Sequence, residues 1–243
     1  MYGHAKGAGM NPTVKAARVA GAIYLLEVLS GPFSLIYIPS VLIVSGNAAA
    51  TAASILAHET MFRVAILADL FSGVVSIFLV LALYRLFKDV DHYLAVLMVI
   101  LGGVTVAPIF FVNSLNWIAA LTLIHGGGSL AVFTTAQLNA LAMLFLHLHG
   151  QGNVVNGVFW GLWLLPFGLL VIKSGFIPRF IGYWLLIDGL AYVVLSSIGI
   201  MAPQYHERAF LFAQPALFGE LAIMLFLLIR GANVTTRLSQ TGD

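Results

Sequence analysis

The sequence contains no cysteine, and only 8% of its 243 residues are charged. The missing thiols exclude disulfides, cysteine nucleophiles, iron–sulfur clusters and cysteine-ligated zinc. The scarcity of charge excludes an ordinary soluble domain, in which about a quarter of the residues are charged. The composition is instead 61% hydrophobic, with a mean hydropathy of +1.02. These values are typical of a polytopic membrane protein, so the lipid bilayer is the first partner that the sequence predicts.

Signatures of several function classes are missing as well. The net charge is only +2, and the basic residues are spread along the chain, which argues against a nucleic-acid partner. No Walker loop, dinucleotide fingerprint, nucleophile elbow or zinc-protease helix occurs. A non-enzymatic role is therefore expected more than an enzymatic one.

Long apolar runs predict an all-α, polytopic membrane helix bundle of six spans. A run of about 20 apolar residues is long enough to cross the hydrocarbon core as a helix. The predicted spans cover residues 19–44, 64–84, 93–124, 154–172, 180–200 and 209–229. Gly31-Pro32 predicts a kink in the first span, and the Ala-rich connector 45–61 predicts a short interfacial helix. A single transmembrane domain of residues 13–231 is expected, between a disordered tail at 1–12 and a polar tail at 232–243.

The fourth helix is expected to run from Thr134 to Lys173 and to begin with a capping box formed by Thr134 and Gln137. Its second half alone, Val154 to Ile172, is about 19 residues or roughly 28 Å long, which matches a bilayer core. The first half of this helix and the end of span 3 are therefore predicted to extend on the outer side.

Lysine and arginine predict the orientation of the bundle. Nine of these residues fall on one side of the six-span arrangement, and only Arg63 and Arg208 fall on the other. The positive-inside rule then places both termini in the cytoplasm.

Three acidic residues within the spans have no basic residue at their depth: Glu27, Asp188 and Glu220. An ionised carboxylate inside a membrane costs at least about 2.5–3.5 kcal/mol, so each should face the bundle interior, take a proton or meet a cation. Helix periodicity puts Tyr24 on the face of Glu27 and Tyr192 on the face of Asp188. We predict a proton- or cation-binding site; the alternative is protonated acids that hold helices together through hydrogen bonds.

A second group of polar residues is predicted at the outer ends of the spans. It comprises His58, Glu59, Arg63, Asp69, Asn113, Asn116, His147, His149, Gln151 and Asn153. Arg63 and Asp69 are expected to form an ion pair. His147, His149, His58 and Asp69 are candidate ligands of a metal or haem, although His-x-His does not place both imidazoles on one helix face. The alternative is that these histidines bind backbone carbonyls and lipid headgroups, and no cofactor is predicted outright.

Gly157 and Gly161 form a GxxxG motif on the fourth helix, which predicts close helix packing. A membrane partner protein or a second copy of the chain is a possible occupant of this face.

Several motifs together resemble a known family. They are Asn11-Pro-Thr13 with Arg18-x-x-Gly21, the Gly31-Pro-Phe33 break, Leu148-His-Gly150, Ser174-Gly-Phe-Ile-Pro-Arg179 and Gly219-Glu-Leu221. The chain is similar in these motifs to the bacterial multi-pass membrane proteins catalogued as domain of unknown function 4386. The resemblance implies a helical protein of the bacterial inner membrane, and it implies no activity and no catalytic residue.

Three functions are carried forward as hypotheses. The first is a small transporter or ion-coupled membrane protein with a buried acidic site. The second is an intramembrane metal- or haem-binding protein or enzyme that uses the outer histidines. The third is a non-catalytic partner subunit or lipid-binding scaffold.

Overall fold

The computed structural model of the chain describes residues 12–232, which form helices and turns and no strand. Six helical segments in this part of the chain are long and apolar enough to cross a membrane. The prediction of an all-α bundle with six spans is therefore confirmed. The tails expected at 1–12 and 232–243 fall outside the described residues, apart from Pro12 and Ala232.

The helices follow one another with short connections. The first span consists of α1 (Pro12–Pro32), a π-helical turn (Phe33–Tyr37) and α2 (Ile38–Leu42). The short helix α3 (Ala48–Ala57) leads into α4 (Glu59–Phe87), the second span. The third span consists of α5 (His92–Val99), a π-helical turn (Ile100–Thr105) and α6 (Val106–His125). The last three spans are α7 (Thr135–Ser174), α8 (Arg179–Met201) and α9 (His206–Leu225), which ends in a third π-helical turn (Phe226–Arg230).

Two of the π-helical turns lie beside prolines. One lies between Pro32 and Pro39, and the other ends shortly before Pro108. A proline inside a helix has no N–H to donate and its ring crowds the preceding turn, so the backbone widens locally. The turn Phe33–Tyr37 therefore has its physical reason in Pro39, whereas α1 includes Gly31 and Pro32; the kink at Gly31-Pro32 stays a prediction.

The capping box predicted for the long helix α7 is present. The backbone N–H of Gln137 donates to Thr134 Oγ1 at 3.3 Å, and that of Thr134 donates to Gln137 Oε1 at 2.9 Å. Just before it, Gly126, Gly127 and Gly128 all have positive φ angles, which a side chain would disfavour. These glycines allow the chain to reverse between α6 and α7.

Helix α7 extends well beyond the turn that joins α8 to α9. Gly199, close to this turn, packs against Val154 of α7. Since α7 begins at Thr135, about 19 residues or roughly 28 Å of it lie past that level. That this end of the bundle is the outer one stays a prediction.

Two apolar cores fill the bundle, and a polar layer separates them. On α4, Phe62 belongs to one core and Leu83 to the other, while the buried residues Asp69 and Ser72 lie between them. His149 occupies the same intermediate place on α7. Because buried polar groups need partners, this layer is where the helices are joined by hydrogen bonds.

Candidate functional site

The centre of the candidate site is Glu220 of α9, whose carboxylate lies between two tyrosines. Tyr24 of α1 donates to Oε1 at 2.5 Å, and Tyr192 of α8 donates to Oε2 at 3.3 Å. Helix α1 from the beginning of the chain and helices α8 and α9 from its end therefore meet at one carboxylate. Tyr24 is buried, whereas Glu220 and Tyr192 are half-buried.

Asp188 of α8 lies directly against the same turn of α9. Its Oδ2 accepts a hydrogen bond from the backbone N–H of Glu220 at 3.1 Å. A side chain at Gly219 would place its Cβ only 2.9 Å from this oxygen, which explains why α9 carries glycine there. Asp188 is fully buried, and its Oδ1 has no hydrogen-bond partner among residues 12–232.

Glu27, one turn after Tyr24 on α1, is the third predicted acid. Its carboxylate is close enough to interact electrostatically with both Glu220 and Asp69. Its Oε2 is buried and lacks a hydrogen-bond partner in the part of the chain that the structure describes. The residues Tyr24, Glu27, Asp188, Tyr192 and Glu220, called the acid cluster below, are thus brought together as the helix periodicity suggested.

Two tryptophans of α7 pack against the rings of these two tyrosines. Trp163 packs against Tyr24 with ring centroids 6.2 Å apart, and Trp160 packs edge-on against Tyr192 at 6.0 Å. Aromatic contacts of this kind hold each ring in one orientation. The long helix therefore positions the two hydroxyl groups that contact Glu220.

The outer polar group predicted from the sequence divides into a buried and an exposed part. In the buried part, Ser114 Oγ donates to Asp69 Oδ2 at 2.8 Å, and His149 Nε2 lies 3.3 Å from the same oxygen. Asn113 donates to the carbonyl oxygen of His149 at 3.0 Å and to Asn153 Oδ1 at 2.9 Å. The residues Asp69, Asn113, Ser114, His149 and Asn153 are called the histidine cluster below.

Neighbours close the histidine cluster on two sides. Asn116 donates to Asn113 Oδ1 at 3.0 Å, and the ring of Trp117 stacks on His149 with centroids 4.0 Å apart. Trp117 Nε1 and Asp69 Oδ1 are both buried without a hydrogen-bond partner within residues 12–232. An unpaired donor and an unpaired acceptor in one cluster leave it able to hold a small polar species, such as water.

The exposed part of the predicted group lies at the start of α4. Glu59 pairs with Arg63 at 2.7 Å and with His125 at 3.3 Å. The predicted Arg63–Asp69 ion pair is therefore wrong. Residues four apart share a helix face, whereas Asp69, six positions after Arg63, points into the bundle.

The remaining members of that group lie apart from both clusters. Nδ1 of the His58 ring is within hydrogen-bond distance, 3.0 Å, of the carbonyl oxygen of Ser54. His147 is exposed beside Ala48 of α3, and Gln151 is exposed on α7. Of the four candidate metal ligands, only His149 and Asp69 meet. No group of three histidine, aspartate or glutamate side chains able to hold a metal ion occurs in residues 12–232, so these side chains do not fit a metal centre.

The glycines of α7 pack against α8 of the same chain. A Cβ on Gly161 would collide with the carbonyl oxygen of Gly189, and one on Gly168 would lie 2.8 Å from that of Gly182. Gly157 contacts Ser196 in the same way. This face is already occupied within the chain, so a partner or a second copy, which stays a prediction, would need another surface.

Sequence reasoning missed the link between α1 and α4. Ser30 Oγ lies 2.7 Å from Ser72 Oγ, and either hydroxyl can be the donor. Each serine follows an acid by three residues, as Glu27-Val-Leu-Ser30 and Asp69-Leu-Phe-Ser72. This repeated spacing was the available signal, because it places each acid and its serine on one helix face.

Comparisons with known proteins give one match. A family model described as "Domain of unknown function (DUF4386)" matches residues 19–231. No curated protein and no solved structure matches the chain. The matched range contains both clusters in full, and the resemblance predicted from the motifs is confirmed. The family description names no activity, so it assigns no role to any residue.

Proposed function

The chain belongs to the DUF4386 family, and we propose that it binds a proton or a cation at the acid cluster, as a small transporter or another ion-coupled membrane protein. The single observation that carries this proposal is the Glu220 carboxylate between Tyr24 and Tyr192, directly against Asp188. Two further observations support it.

The first is the lack of a basic partner. In the described part of the chain, the side chains and amide that contact Glu220 and Asp188 are tyrosine hydroxyls and a backbone N–H, and neither acid forms a salt bridge. Carboxylates that share a site inside a membrane need a proton or a cation to offset their charge. Among the described residues the acid cluster meets this condition, and the proposed proton or cation would supply its neutralising charge.

The second is the position of free acceptor atoms. Asp188 Oδ1 and Glu27 Oε2 are buried and without hydrogen-bond partners among the described residues. A protonated carboxyl group, or oxygen atoms around a small cation, would use such acceptors. Helices held together by acids alone would be expected to satisfy these atoms within the protein.

We also propose a setting for this activity. The protein lies in the bacterial cytoplasmic membrane with both termini in the cytoplasm, because nine of its lysines and arginines fall on that side of the spans. The end of α7 that extends past the α8–α9 turn would then face the outside.

The test is proton uptake by the purified full-length protein after a pH jump, followed with an indicator dye. We expect Glu220→Gln to lose one proton-binding step relative to the wild type. The matched control is Glu207→Gln, the same substitution at an exposed position of the same helix, and it should keep the step. Thermal unfolding confirms that each variant is folded; Asp188→Asn serves as a second variant if Glu220→Gln is not.

A cation in place of a proton is detected in the same preparations. Titration calorimetry with Na⁺, K⁺, Mg²⁺ and Ca²⁺ would then show binding in the wild type and in Glu207→Gln, accompanied by proton release. If Glu220→Gln and Asp188→Asn are folded and bind protons and all four cations like the wild type, the proposal is refuted.

A further inference from the structure

The acid cluster and the histidine cluster each place one acid on the neighbouring helices α1 and α4. Glu27 of the first is followed on α1 by Ser30, and Asp69 of the second is followed on α4 by Ser72. The two serine hydroxyls are 2.7 Å apart and form a direct hydrogen bond between these helices. Each serine lies one helical turn, about 4.5 Å along the axis, from its acid.

Each of the two acids that precede these serines has one carboxylate oxygen that lacks a partner. Asp69 Oδ1 and Glu27 Oε2 are both buried and unbonded within residues 12–232. The Glu27 carboxylate also lies within electrostatic range of both Asp69 and Glu220. A water molecule in each one-turn gap would give each of these oxygens a donor and would reach the neighbouring serine.

We propose that the Ser30–Ser72 hydrogen bond, completed by one water at each end, joins the histidine cluster to the acid cluster as a single proton path. This proposal rests on the proposed function of the acid cluster. The groups facing Asp69 along the path are His149 from α7, Ser114 from α6 and Glu27 from α1.

The transfer is balanced at every step. An O–H bond breaks at the Asp69 carboxyl group and an O–H bond forms at Glu27. Each water and each serine between them accepts a proton from one neighbour and releases its own to the next, so none of them changes. Ser30 Oγ also donates to the carbonyl oxygen of Leu26 at 2.9 Å, and for the transfer its O–H turns from this carbonyl toward the water beside Glu27.

The chain offers matched controls for both serines. Ser76, one turn after Ser72 on α4, donates to the carbonyl oxygen of Gly73 in its own helix at 2.9 Å. Ser34, one turn after Ser30, donates to carbonyl oxygens of its own first span. Replacing any of these four serines with alanine removes one buried or half-buried hydroxyl, but only Ser30 and Ser72 contribute to the proposed path.

The experiment is stopped-flow proton uptake by the full-length protein after a pH jump, restricted to the kinetic phase that Glu220→Gln removes. We expect Ser72→Ala and Ser30→Ala to slow this phase by about tenfold or more, because a lost relay group removes a positioned proton carrier. Ser76→Ala and Ser34→Ala should change it by no more than about twofold. Ser30→Thr keeps a hydroxyl and should restore the rate.

The outcomes separate the two proposals. If the phase is present and all four alanine variants have the wild-type rate, the path is refuted and the binding site stands. If Ser72→Ala or Ser30→Ala reduces the amplitude and leaves the rate unchanged, the serines contribute to binding and the path is again refuted. If the wild type has no phase that depends on Glu220, the path is refuted, and the binding site is refuted as well if the cation titrations show no binding that Glu220→Gln or Asp188→Asn removes.

Discussion

The hydroxyl of Tyr24, near the start of the described chain, donates to Oε1 of Glu220 near its end. This hydrogen bond joins α1 to α9, the first and last spans of the bundle. Tyr24 is also part of an apolar core and packs against Trp163 of α7. A group that is fixed by packing and donates to a carboxylate inside a membrane contributes both to stability and to the charge environment of that carboxylate.

We predict that Tyr24→Phe destabilises the protein by about 1–3 kcal/mol, because it leaves a carboxylate oxygen without its donor while the ring still fills the core. Tyr192→Phe should have a smaller effect, since its hydrogen bond to Glu220 is longer. The measurement is thermal unfolding in detergent. Tyr183→Phe, at an exposed position of α8, is the control and should behave like the wild type. Equal stability of Tyr24→Phe and the wild type would contradict this prediction.

The α7–α8 interface provides a second prediction. In Gly161→Ala the new methyl group would collide with the carbonyl oxygen of Gly189, and backbone atoms cannot turn away as a side chain can. We expect a loss of about 1–3 kcal/mol in the free energy of unfolding, as for overpacked cores. Gly150→Ala on the same helix has no atom within 4 Å of the added Cβ. This control should be neutral or more stable by up to about 1 kcal/mol, because alanine favours helix over glycine. An unchanged Gly161→Ala variant would show that the helices pack less closely than described.

The six spans and the acid cluster were within reach of sequence analysis for physical reasons. A lipid bilayer requires long apolar helices. A carboxylate inside such a helix is so costly that it is expected to face the protein interior or to be neutralised. Helix periodicity then pairs Tyr24 with Glu27 and Tyr192 with Asp188 before any helix is placed. The capping box at Thr134 is equally local, since it depends on residues three positions apart.

The contacts between helices were not within reach. In lipid the outer face of a helix is as apolar as its packed face, so hydrophobic periodicity does not show which side points inward. Arg63 was therefore assigned to Asp69, although the two point in different directions. For the same reason the outer polar residues were grouped together, and the Ser30–Ser72 bond between α1 and α4 was not found.

A third prediction concerns metals. Since no group of three histidine, aspartate or glutamate side chains able to hold a metal ion occurs in residues 12–232, we expect treatment with a chelator to leave the unfolding temperature unchanged. Elemental analysis of the purified protein should give well below one equivalent of zinc, iron or copper. His149→Ala removes one of the two candidate ligands that do meet. His147→Ala, which removes an exposed histidine, is the control. A stoichiometric metal that His149→Ala loses and His147→Ala keeps would contradict the prediction and revive the hypothesis of a metal protein.

The last prediction concerns the stability of the protein at low pH and an ion pair near the α4–α5 loop. Asp91, in the loop before α5, accepts a 2.7 Å hydrogen bond from Lys173 at the end of α7 and another from the backbone N–H of Leu94. The bond to Lys173 is the main reason why the pKa of Asp91 is lowered from its ordinary value of 3.8. A carboxyl group whose pKa is lower in the folded state stabilises the protein at pH values above its unfolded pKa, and this contribution is lost as the pH falls through the folded pKa.

Lys173→Gln should therefore raise the pKa of Asp91 toward its ordinary value and remove the stabilisation that the wild type retains above pH 3.8. The measurement is the unfolding temperature from pH 6 down to pH 2, at low and at high salt. Because Lys173 is exposed and Asp91 is only half-buried, the difference between the proteins should be small and should shrink at high salt. Lys88→Gln, at an exposed lysine of the same loop region, should follow the wild-type curve. Coincident curves for Lys173→Gln and the wild type at low salt would show that this ion pair does not join α5 to α7 in solution.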